Sequence, residues 1–170
     1  MNPSSVEPLY VISFEEVLWG GLLVAVTMTL HGFGMIAVLR VNLSVKNWMG
    51  RKTHIVANLF PIILASWMIM LVHLIEVMVW ALFFIWKGAF QNSSIAYYFS
   101  LNEYTTVGSN FNLPLHWRLL EGMIATAGLL TFAWSTGILM TLAQEFQEQR
   151  IQLFKQRHPK NTPPKENTGT

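Results

Sequence analysis

Three long apolar runs, separated by polar stretches, dominate the chain. Val17 to Leu39 contains a single ionisable side chain, His31. Ile55 to Trp86 is interrupted by Asn58, Pro61, His73 and Glu76. Leu119 to Ala143 carries Glu121 near one end. A helix needs about 20 apolar residues to cross the hydrocarbon core of a bilayer, and each run reaches that length. None has the polar face that a helix of a soluble protein shows to water. The pattern predicts three transmembrane helices, with Pro61 in the first turn of the second or at a kink there.

The second and third runs are joined by about thirty residues, roughly twice what a plain helix connection needs. Asn92, Ser93 and Ser94 are suitable helix N-caps. The segment Ile95, Ala96, Tyr97, Tyr98, Phe99 and Leu101 follows, apolar and aromatic but too short to span. A short helix and a polar return predict a re-entrant loop. Irregular backbone at membrane depth is tolerated only where it is buried in protein or lines water. The expected fold is an all-α membrane protein, three transmembrane helices with a re-entrant pore helix between helices 2 and 3.

Composition agrees. Of the 170 residues, 52% are hydrophobic and 12% charged, against about 25% charged in an ordinary soluble domain. Cysteine is absent, which excludes disulfides and thiolate metal sites. The net charge of +2 matters less than its distribution. Arg40, Lys46, Arg51 and Lys52 fill the first connection, and Arg150, Lys155, Arg157, Lys160 and Lys165 follow the third run. Glu7, Glu15 and Glu16 precede the first run without any basic residue. The positive-inside rule then puts the N-terminus outside, the hairpin outside and the C-terminal tail in the cytoplasm. Residues 1–16 form an external segment, 17–39 an extra helix, 55–149 the main membrane unit and 150–170 a basic tail read as solvated or surface-associated. Trp19, Trp48, Trp86 and Trp117 fall at the ends of the runs, where tryptophan anchors helices at the membrane surface.

Within the hairpin, Thr105-Thr106-Val107-Gly108 follows the short aromatic segment. In this setting the tetrapeptide resembles the selectivity filter of the potassium-channel pore-loop family, and residues 55–149 resemble the two-helix-plus-pore-loop unit of its bacterial members. The resemblance implies a filter formed by Thr105, Thr106, Val107, Gly108, Ser109 and Asn110. Backbone carbonyls from four chains would replace the hydration shell of a monovalent cation. It implies a homotetramer in a bacterial inner membrane, and an inner-helix hinge at Gly128 or Gly137, both of which also suit close helix packing. Four positions depart from the family pattern: Asn102 stands where many members carry an acid, with Glu103 one residue closer to the filter, and three more follow Gly108. Ser109 replaces a bracing tyrosine, Asn110 a glycine and Phe111 an outer acid. Asn110 is among the better non-glycine residues for positive φ. These departures loosen the expected selectivity.

His31, His73 and Glu76 lie deep in the runs. Helical rise puts His31 ~21 Å from Val17 and His73 ~20 Å from Trp86, at similar depth. Glu76 lies one turn from His73 on the same face. Ionisable groups there must pair or line water. Three roles fit: a hydrogen-bonded cluster locking helices, a proton-sensing element, or a metal site in which Met28 and Met35 flank His31.

The leading expectation is passive cation conduction of uncertain selectivity. The alternatives are a non-conducting accessory subunit bound to other membrane subunits, or a proton- or metal-linked transporter using His31, His73 and Glu76. No nucleophile, phosphate loop or nucleic-acid surface points to an enzyme or to nucleic acid, and no cofactor is expected. Gly32-Phe33-Gly34 follows no strand and is not a nucleotide fingerprint.

Overall fold

The computed structural model describes residues 10–49 and 55–157. Arg51, Lys52, His54 and the tail beyond residue 157 lie outside the described residues, as do residues 1–9. The described chain is helical, with no strand among the described residues. The elements are α1 (Phe14–Met49), α2 (Ile55–Trp86), α3 (Ser93–Tyr104), a 3-10 turn (Leu115–Trp117) and α4 (Leu119–Arg157). Three helices are long and apolar enough to cross a membrane.

Two helices outrun the apolar runs that predict them. α1 continues to Met49 and α4 to Arg157. Neither extension contains the glycine or proline that would stop it. Lys46 and Glu145, at 2.6 Å, join α1 to α4 through these extensions. Much of the first connection, and the first part of the tail, is therefore helix rather than loop. Pro61 lies inside α2, and its carbonyl accepts from the Asn42 side chain of α1 at 2.9 Å.

The start of α1 is fixed by a capping box. The Ser13 hydroxyl accepts from the Glu16 amide at 3.1 Å, and the Glu16 carboxylate accepts from the Ser13 amide at 3.0 Å. Glu16 is fully buried because it also accepts from the Tyr10 hydroxyl and from the Leu119 amide at the head of α4. One carboxylate thus ties two helix N-termini together, where negative charge is favoured. Nearby, Lys87 lies 4.3 Å from the Trp19 ring centroid and 4.9 Å from that of Trp86, and pairs with Glu15.

An aromatic core lies at this end, where Trp80, Phe84, Phe99, Tyr104 and Leu120 are fully buried. The Trp80 indole donates to the Thr27 hydroxyl of α1 at 3.0 Å. A smaller cluster of Met35, Val38, Ala65, Ile69 and Leu142 holds α1, α2 and α4 towards the other end. α3 packs against α2 and α4, so the hairpin is part of the bundle.

Candidate functional site: an arched loop above a buried polar ring

α3 begins at Asn92, whose side chain accepts from the Ser94 and Ile95 amides. It ends in a Schellman motif: the Thr106 amide donates to the Glu103 carbonyl, and the Val107 amide to the Asn102 carbonyl, each at 3.0 Å. That motif needs a residue in the left-handed region after the helix cap. α2 ends the same way, with Gly88 at φ 69° in that place. In α3 the place is taken by Thr106, at φ 62°. A β-branched residue there is a true outlier, and such outliers concentrate at functional sites. Among the described non-glycine residues Thr106 alone has positive φ. The sequence suggested Asn110 for that conformation, but the demand arises where α3 is capped.

Gly108 follows at φ 81°, and the Ser109 amide donates to the Glu103 carboxylate at 2.9 Å. Thr105 to Ser109 therefore form an arch closed by a carboxylate from α3. Burial pushes the Glu103 carboxyl above its ordinary value, the Ser109 amide pulls it down, and Glu121 adds an upward push. Glu121, in the first turn of α4, accepts from the Leu113 amide, so both acids brace hairpin backbone. No described residue donates to the carbonyls of Thr106, Val107 or Gly108. Thr106→Gly should stabilise the protein by about 1 kcal/mol by removing the left-handed strain. Chemical unfolding in micelles checks this, and unchanged or lower stability would show that threonine is at ease there.

The other end of the site lies inside the bundle. The structure brings His31, His73 and Glu76 together. His31 Nδ1 lies 2.9 Å from Glu76 Oε1, and His31 and Glu76 are fully buried. Tyr104, the last residue of α3, places its hydroxyl against Glu76 Oε2 and 2.9 Å from His73 Nδ1. The Thr131 hydroxyl of α4 meets Tyr104 at 2.5 Å. Ser135, one turn further along α4, bridges His73 Nε2 at 3.1 Å and His31 Nε2 at 3.2 Å. All three long helices and α3 thus meet in one polar network. Candidate metal-ligating atoms of His31, His73 and Glu76 lie within 4.8 Å of one another, and those facing the network are engaged by hydrogen bonds.

Tyr104, Thr131 and Ser135 were not singled out from sequence. Thr126, Thr136 and Thr141 donate to carbonyls of their own helix on its exposed side, so a hydroxyl in an apolar run does not reveal which way it faces. The i,i+4 spacing of Thr131 and Ser135 was the available signal.

Gly128 sits against the backbone at the end of α3, where an added Cβ would strike the Tyr104 carbonyl. Gly137 has nothing within 4 Å. A cavity of about 300 Å³ opens beneath the end of α3, between α2 and α4, bordered by Ser66, His73, Leu101, Thr105 and Ser135. No protein-family model, curated protein or solved structure matches the chain.

Proposed function

We propose that the protein is a potassium-channel-like membrane pore protein in which four copies bring their Thr105–Asn110 arches round one axis and pass monovalent cations. One observation carries the reading: the arch holds Thr106 in a conformation threonine resists, and its carbonyls have no donor among the described residues. Oxygen atoms held in this way suit a dehydrated cation. The order of elements supports it, with a short helix between two long apolar ones and its C-terminal end, the negative end of its dipole, beside the arch. Gly122, Thr126, Ala133, Gly137 and Thr141 fall along one exposed side of α4, small enough for neighbouring copies to approach. In this reading α3 is the re-entrant helix, and Ser109, Asn110 and Phe111 make selectivity among cations loose.

A second reading, a non-conducting subunit of a larger membrane complex, draws on the exposed side chains of Val107 and Phe111, an apolar surface for a foreign neighbour. Native mass spectrometry of the protein extracted from its own membrane separates the two. Four copies are expected for the pore, and a single copy bound to other polypeptides would reject it.

A further inference from the structure

We infer that the ring formed by Glu76, His31, Ser135, His73 and Tyr104 is a binding site for one proton, held beyond the hydrogens of a carboxylate and two neutral imidazoles. The ring is closed. Glu76 meets His31, His31 meets Ser135, Ser135 meets His73, His73 meets Tyr104 and Tyr104 meets Glu76, five contacts in all. Each contact uses one hydrogen, because two facing lone pairs repel. With Glu76 ionised and the imidazoles neutral, His31, His73, Ser135 and Tyr104 each bring one hydrogen to the ring. One contact is left without a hydrogen.

Thr131 also meets Tyr104, and its single hydrogen goes either to Tyr104 or to the Ala127 and Gly128 carbonyls of its own helix; in neither case does the ring gain a hydrogen, so the shortfall stands. The 3.5 Å approach of His73 to Glu76 is too long to demand another. A fifth hydrogen completes the ring in one of two ways. Glu76 is a neutral acid and every member donates once and accepts once, or Glu76 is a carboxylate and one imidazole is charged. Both forms have zero net charge, the state an apolar interior favours.

The titratable groups facing the ring are His31 from α1, His73 and Glu76 from α2, and Tyr104 from α3. α4 contributes Thr131, Ser135 and the ring of Trp134, 5.5 Å from that of His31, none of which titrates. No Lys or Arg among the described residues pairs with the ring. The proton's route is the cavity beneath α3, which His73 and Ser135 both border.

Unfolding sets the sign of the effect. In the unfolded chain Glu76 is ionised above about pH 4.3 and both histidines are neutral above about pH 6.5. Above that range unfolding releases the ring proton, so stability falls as pH rises, approaching tenfold in the unfolding equilibrium per pH unit. Well below it the unfolded histidines take up two protons against the ring's one, so stability falls again as pH drops. The ring's contribution peaks near pH 6.5.

Equilibrium unfolding of the full chain in micelles between pH 7.5 and 9 tests this without reference to ion passage. Wild type should lose stability at close to tenfold per pH unit. Glu76→Gln, whose amide gives the ring one hydrogen and one acceptor, should remain folded and lose that slope. Ser135→Ala opens the ring and leaves three contacts, which His31, Tyr104 and His73 serve unaided, so its slope should also shrink. A flat wild-type profile would overturn the inference. So would a full slope in Ser135→Ala, which would assign the proton to burial of Glu76 alone, and this comparison stands even if Glu76→Gln does not fold.

Discussion

Gly128→Leu should expel the end of α3 from the bundle, destabilise the protein by about 3 kcal/mol or more and abolish any ion flux. The glycine is where α4 touches backbone: a Cβ there meets the Tyr104 carbonyl and carbon before any flexible side chain. Backbone cannot turn aside as a side chain can, so α3 must retreat. Its retreat would pull the Tyr104 hydroxyl away from Glu76, His73 and Thr131, so one substitution disturbs both arch and ring. Gly137→Leu is the control, because nothing lies within 4 Å of that glycine. It should not destabilise the single chain, and should stabilise it by up to ~1 kcal/mol through helix propensity. Unfolding of the two variants in micelles gives the comparison, and equal stabilities would show that α3 is not held through Gly128.

Glu76→Ala is the second large effect. The Glu76 carboxyl group joins α1 to α3 by hydrogen bonds on both sides, with His31 and with Tyr104. Removing it strands two polar groups in a buried site and leaves a cavity. Interhelical hydrogen bonds in membranes contribute about 0.6–2 kcal/mol each, and the stranded partners and the void add to that. A loss of about 3 kcal/mol is expected. Glu76→Gln should recover most of it, because the amide still offers both a hydrogen and an acceptor. The same unfolding assay checks the pair; if Gln were as damaging as Ala, the negative charge, rather than the hydrogen bonds, would be what matters.

The three long helices were legible because apolar residues surround them, a signal that needs no tertiary information. The pairing of His31 with Glu76 was also within reach, since helical rise places His31 level with His73, with Glu76 one turn away, and apolar surroundings force polar groups to meet. Tyr104 was not, because its importance comes from the insertion of α3 between α2 and α4, which no periodicity reports. Ser135 was hidden among threonines that satisfy themselves on their own helix. The capping box of Ser13 and Glu16 was missed, although its Ser-x-x-Glu spacing is a helix-start signal, and the reach of Glu16 to Leu119 depends on how α1 and α4 are packed. The helical extensions past Leu39 and Ala143 were missed because hydropathy marks the membrane, whereas a helix stops only at a breaker.

The filter-like tetrapeptide behaved differently. Its residues suggested a conformation, and the strain fell on Thr106 because the helix before it is capped there. Thr106 and Gly108 both occupy the left-handed region, but only Gly108 does so without cost. Gly108 has open space around it, so replacing it tests backbone conformation rather than packing.

Potassium and sodium flux into liposomes carrying wild-type protein or Gly108→Ala is therefore the most direct measurement. Passage of both cations by wild type, reduced at least tenfold by the substitution, is the expected result. No flux through wild type, or flux that Gly108→Ala leaves unchanged, would contradict conduction through the Thr105–Asn110 arch.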